Sequence, residues 1–138
     1  MNAMRLAQTL ASNPFFQFAK LGTVNKNSEE HLRLGFDSFL KNHIGTLHAG
    51  ALFTVAQADA HSNLVHALEQ HNPGWKVATY TSQIFYKRPA KGLVWVNTTA
   101  PTMDWEKRVA HTVSTLNSET DEPVAELHIE FRLTQGEL

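Results

Sequence analysis

Cysteine is absent from this 138-residue chain, which removes a disulfide scaffold, a thiolate nucleophile and any cysteine-ligated zinc or iron–sulfur site. A reducing compartment fits that absence. Excess charge of one sign is lacking too. Twelve Lys and Arg against 13 Asp and Glu leave a net charge of -1 and a pI near 6.7. No global basic field therefore draws the chain onto nucleic acid or an anionic membrane, and an anionic ligand must be met by local charges. No apolar run approaches the roughly 20 residues that span a bilayer, and the first residues lack the continuous apolar stretch of a signal peptide. The expectation is a soluble, cytoplasmic protein that binds neither nucleic acid nor membrane. With 42% hydrophobic residues it can build an ordinary core, and its length fits one domain over residues 1–138.

Histidine, by contrast, is plentiful, with His31, His43, His48, His61, His66, His71, His111 and His128. No pair has the His-x-x-x-His spacing that sets two ligands one helical turn apart, because His43/His48 and His61/His66 are each five positions apart. Scattered surface and strand histidines are expected, with no metal and no other cofactor.

From Asn2 to Lys20 the apolar residues Leu6, Leu10, Phe15, Phe16, Phe18 and Ala19 are interrupted by Ser12-Asn13-Pro14. That pattern predicts an N-terminal helical segment over residues 1–21, in which a second helix starts at Pro14 with Asn13 as its cap. Thr23 to Asn27 is a short candidate strand, and His31-Leu32-Arg33-Leu34-Gly35-Phe36 alternates with the period of a strand. From Ala49 to Glu69 the period becomes helical, and Ala49, Leu52, Phe53, Ala56, Ala60, Leu64, Ala67 and Leu68 fall on one broad stripe. Gln57 and His61 lie on one flank of that stripe; Asp59, Asn63 and His66 lie towards the other.

After the turn His71-Asn72-Pro73-Gly74, four segments read as strands: Lys76 to Lys87, Leu93 to Ala100, Arg108 to Asn117 and Pro123 to Leu133. The turns between them include Met103-Asp104-Trp105-Glu106-Lys107. Short connections imply antiparallel pairing, and strands, one long helix and then a meander suit a sheet wrapped around a single helix.

The densest chemistry lies from Asn42 to Gln57, where the small-residue turn Gly45-Thr46-Leu47-His48-Ala49-Gly50 runs straight into the long helix. The first N–H groups of a helix have no partner inside it and carry the positive end of its dipole. Ala49 and Gly50 at that end could thus hold a carbonyl oxygen on bare backbone donors. Taken singly, Asn42 would be a turn or cap residue and His48 a buried, satisfied side chain.

Asn-x-x-Gly-Thr-x-His-Ala-Gly-Ala followed by an apolar helix resembles the signature of the hotdog-fold acyl-CoA thioesterases, in their PaaI-like or DUF4442-like branch. The resemblance extends through Pro89 and more faintly to the C-terminus. It implies an α+β hotdog fold, an antiparallel sheet wrapped around one long central helix with an extra N-terminal helix. It also implies an acyl-CoA or other small thioester substrate, and a homodimer or dimer of dimers (a homotetramer) whose active site is shared between subunits. Residue by residue, Ala49 corresponds to the position whose N–H holds the thioester oxygen, Asn42 to the asparagine that orients water or the acyl group, and His48 to a supporting histidine.

Gln57 departs from that pattern, since the family places Asp or Glu there as base or nucleophile. An amide has no basic lone pair near neutral pH and can only orient water or substrate. Thr79 or Thr81 on the next strand could complete a water-holding set, and Thr79 matches the Ser/Thr position that follows the helix in related enzymes. His61, one turn beyond Gln57 on the same flank, is a candidate base because an unperturbed imidazole titrates near pH 6.5; otherwise it is a polar rim residue. Asp59 is the nearest carboxylate in sequence, but the helix phase turns it away, so it is expected to be solvated or at an interface. The turn Lys87-Arg88-Pro89-Ala90-Lys91 matches one that lies near the CoA phosphates, making Lys87, Arg88 and Lys91 candidate phosphate contacts. The expected function is thioester hydrolysis by water. A non-hydrolytic or weakly active acyl-thioester binding protein, with Gln57 in place of the acid, is the alternative, and a hotdog dehydratase is a third, lacking the Asp and His pair that its reaction needs.

Overall fold

The computed structural model describes residues 8, 10, 11, 13–71 and 74–135, with the backbone alone at Phe18 and His71. The expected first helix before Ser12 falls mostly outside these residues, and so does the turn at Asn72 and Pro73. Helix α1 spans Pro14–Phe18, with the Asn13 side chain accepting the Phe15 N–H at 2.9 Å and proline in the first turn, as the sequence predicts. Strands β1 (Gly22–Lys26) and β2 (Glu29–Leu34) form a hairpin about Asn27 and Ser28. A 3₁₀ turn at Ser38–Leu40 leads to α2, Ala49–His71. Then come β3 (Trp75–Tyr86), β4 (Val94–Thr98), β5 (Thr102–Asp104), β6 (Val109–Ser118) and β7 (Pro123–Gln135).

Among the described residues these strands make one seven-stranded antiparallel sheet in the order β1-β2-β4-β6-β7-β3, with β5 pairing β6. The C-terminal half is therefore not the simple meander expected from the sequence. β3 leaves α2 and takes the far edge beside β7, with β6 and β7 between it and β4. The short strand β5 runs into what reads as a turn, ending at Asp104.

The sheet curls around α2, which packs on β2, β3, β4, β6 and β7. Along β7, Ala125, Leu127, Ile129, Phe131 and Leu133 are buried against the helix, while Glu126, His128, Glu130 and Arg132 take the opposite face. On the helix, Leu52, Ala56, Ala60, Leu64 and Leu68 are buried as expected, and Val55, Ala58 and Ser62 are buried as well. Ala49 is exposed, whereas Phe53 and Ala67 are half-buried. This is the hotdog fold, with its additional small helix at the N-terminal side. Among the described residues, no helix is long and apolar enough to cross a membrane.

Candidate active site

The loop before α2 is closed by Asn42. Its N–H donates to the Thr46 carbonyl at 2.7 Å, and its side-chain oxygen accepts from the N–H groups of Ile44 and Thr46. Its amide nitrogen donates to Thr46 Oγ1 at 2.8 Å. Gly45 sits inside this turn at φ +81°, a left-handed conformation that side chains resist. Asn42 thus serves the turn, and the side chain expected to orient water or an acyl group has only one amide hydrogen left over. Two further bonds, from Leu47 N–H to Ala90 O at 2.9 Å and from His48 N–H to Leu40 O at 2.8 Å, fix the loop to its surroundings.

His48 is exposed rather than buried, and it caps the helix. Its Nδ1 accepts the Gly50 N–H at 3.0 Å, the bond that a cap side chain makes to the second helical residue. A Cβ on Gly50 would lie 3.2 Å from that nitrogen, so the small residue lets the ring lie close. One expectation changes: the Gly50 N–H is taken by His48, and of the two expected donors the Ala49 N–H is the one with no hydrogen bond among the described residues. The Ala49 carbonyl receives the Tyr86 hydroxyl at 3.1 Å, and partial burial raises the Tyr86 pKa above its ordinary value.

Across the gap from α2, Gln57 Nε2 donates to Thr79 Oγ1 in a long hydrogen bond of 3.4 Å. A β-bulge selects Thr79 over Thr81. Thr79 pairs with Phe131 and so faces the helix, whereas after the extra residue Tyr80 the register resumes with Thr81 opposite Glu130, on the outer face. The same bulge turns Tyr86 inward, opposite the buried Ala125, where it reaches Ala49. Tyr80 itself stacks under Arg132 on the outer face. Nothing in a single alternating pattern announces that extra residue, so neither Tyr80 nor Tyr86 stands out in the sequence.

Gln57 and His61 line one cleft of about 540 Å³ with Thr54, Ala58, Ser62 and Val65 on the helix, and with Gln8, Asn13, Phe15 and Phe16 from the N-terminal segment. The His61 ring meets Phe131 edge to face with centroids 6.3 Å apart. That the N-terminal segment walls this cleft is not legible from the motif, which begins at Asn42.

Asp59 corrects an expectation. It is 3% exposed, accepts the Thr98 hydroxyl at 2.5 Å and contacts Asn63 Nδ2 at 3.3 Å, and Thr98 in turn bonds Ser114 Oγ at 2.7 Å. Burial pushes its pKa up from 3.8 to about 6, with the Thr98 bond opposing the rise. It is a core carboxylate, not a solvated one.

The basic turn is partly ion-paired. Lys87 pairs with Glu126 at 3.1 Å and Arg88 with Glu122, leaving Lys91 as the one of the three without an ion pair among the described residues. Lys87, then His128, hold the Glu126 carboxyl below its ordinary pKa. No three His, Asp or Glu side chains among the described residues converge as metal ligands.

The family described as "Domain of unknown function (DUF4442)" matches residues 6–133. No curated protein is significantly similar to the chain. A Pseudomonas aeruginosa protein of unknown function, PA5026, named "probable thioesterase", is 23% identical over 96% of this chain and 94% of its own, with a TM-score of 0.72. Thioesterase HI1161 from Haemophilus influenzae is 13% identical over 94% and 88%, with a TM-score of 0.77. The BH2602 protein of Bacillus halodurans, solved with CoA, is 15% identical over 94% and 82%, with a TM-score of 0.70. Identities this low speak to the shared fold.

Proposed function

The chain belongs to the DUF4442 family, and from that premise we propose that it is a thioesterase that hydrolyses acyl-CoA or a related thioester. The observation that carries the reading is the pairing of the cleft residue Gln57 with Thr79, on the same helix whose first N–H, at Ala49, has no hydrogen bond among the described residues. Gln57 and Thr79 hold a water, the Ala49 N–H receives the thioester oxygen, and His61 on the same cleft takes the proton. Water oxygen bonds to the carbonyl carbon, the C–S bond breaks, and the proton passes to the departing thiolate, giving a carboxylic acid and free CoA. Similarity to structures named thioesterases, one of them solved with CoA, supports the substrate class. Lys91 remains as a candidate cation for CoA phosphate.

Distance argues for two copies. Ala49 and Gln57 are eight residues apart, about 12 Å along a helix, too far for one carbonyl and its attacking water. β3 is paired on one side only, and Ala49, Thr79 and Tyr86 near it are exposed. An open edge of this kind is normally covered. Pairing β3 with its twofold copy would shield the site and bring Ala49 of one protomer towards Gln57 of its partner, in a homodimer or a dimer of dimers. The test is CoA release from a series of acyl-CoAs with a thiol-detecting reagent. Release by the native protein supports hydrolysis; no release by the native protein, but release by Gln57→Glu, would make it a binding protein.

A further inference from the structure

The cleft beside Gln57 is longer than hydrolysis alone requires. Thr54, Gln57, His61 and Val65 form one stripe of α2 at spacings of three and four residues, and Phe15 and Phe16 close the opposite side. Its polar end, at Thr54 and Gln57, lies towards the helix start. Its far end is bounded by the apolar Val65, with Ser62 three residues before it on the same face. The volume of about 540 Å³ falls within the range of about 300–1,000 Å³ that encloses whole small ligands.

Resting on the thioesterase reading, we infer that this cleft takes the acyl chain, and that the substrate class is an unbranched medium-chain thioester of about eight to twelve carbons. With the carbonyl at Gln57, the eight residues to Val65 give about 12 Å of groove along the helix, the extended length of a chain of about ten carbons. An acetyl group would leave the stretch between Phe16 and Val65 without contacts. A palmitoyl chain would pass beyond Val65. The Phe15 ring, 54% exposed in the single chain, is placed to cover the methylenes and to lose its own water contact as they bind.

Two readouts test this. In the first, binding of S-ethyl-CoA, S-decyl-CoA and S-hexadecyl-CoA, thioethers that cannot be hydrolysed, is measured by titration calorimetry. A fully buried methylene is worth about fourfold in affinity, so S-decyl-CoA should bind at least about a hundredfold more tightly than S-ethyl-CoA, with no further gain for S-hexadecyl-CoA. Phe15→Ala, at an exposed position, should weaken S-decyl-CoA about fivefold while moving S-ethyl-CoA less. In the second, kcat/KM is measured from acetyl- to palmitoyl-CoA. It should peak between octanoyl- and dodecanoyl-CoA, and Val65→Trp should move the peak to shorter chains. Equal affinity for the ethyl and decyl thioethers, or hydrolysis best with acetyl- or phenylacetyl-CoA, overturns the inference and leaves the thioesterase reading standing. The chain-length dependence of binding without any hydrolysis supports the inference and removes the catalysis.

Discussion

Replacing Asp59 with Asn should change how stability depends on pH. The carboxyl is buried between α2 and the sheet, and its pKa of about 6 lies above the ordinary 3.8. Between those two values the folded chain binds more protons at this site than the unfolded chain, so the contribution of Asp59 is fully present below pH 3.8 and is lost as pH rises through about 6. At 1.36 kcal/mol per pH unit, the gap amounts to about 3 kcal/mol by pH 7. Asn fills the same volume and can still accept the Thr98 hydroxyl, but it cannot ionise. The stability of Asp59→Asn relative to native should therefore rise by about 2 kcal/mol between pH 4 and pH 7, the rest of the gap lying below pH 4. Urea unfolding of both proteins at several pH values measures that difference directly, because every other titrating group is common to the pair. A difference that stays constant with pH would mean that Asp59 is not held in a water-poor core.

The bulge at Tyr80 separates two threonines that the sequence alone leaves as alternatives. Thr79→Val should lower thioester turnover by at least about tenfold through loss of the water-holding hydroxyl, and Thr81→Val, on the outer face, should leave it unchanged; equal effects would refute the assigned register. The shared site predicts complementation between two inactive variants, Gln57→Ala and Gly50→Val, in which the new side chain crowds His48 Nδ1. Unfolded and refolded together in equal amounts, they should form half heterodimers, each with one intact site, and recover about a quarter of native activity. Recovery of none, in a mixture shown to be dimeric, would place Ala49 and Gln57 in one protomer's site. Light scattering should find at least a dimer at micromolar concentration, and a stable monomer would remove the shared site altogether.

Periodicity carries the elements: the helix from Ala49, the cap at Asn13 and the alternating strands follow from residues three, four or two apart, which local chain geometry governs. Strand order does not follow, because β3 joins β7 across some fifty residues, beyond the reach of local periodicity. The bulge at Tyr80 is hidden for a related reason: one extra residue reverses the facing of Thr81, Ser82 and Ile84, and only the partner strand reveals it. Helix phase correctly turns Asp59 away from Gln57, yet it says nothing of whether that side meets water or Thr98 and Ser114. Ion pairing of Lys87 and Arg88 depends on Glu126 and Glu122, more than thirty positions away. Gln57 and Thr79 come together across the helix and strand as the motif suggests, but the N-terminal wall of Phe15 and Phe16 belongs to no motif at all.

The role of Gln57 is most directly tested by the rate of CoA release from decanoyl-CoA with native protein, Gln57→Ala and Gln57→Glu. The chain has no cysteine, so a thiol reagent reads released CoA alone. Loss of the water-orienting amide should lower native turnover by about a hundredfold or more. The Gln57→Glu variant, which supplies a proton acceptor, should exceed native turnover and lose its advantage at acid pH as the new carboxyl protonates. Fast hydrolysis that Gln57→Ala leaves unaltered would contradict the account, because the water would then be held elsewhere than between Gln57 and Thr79.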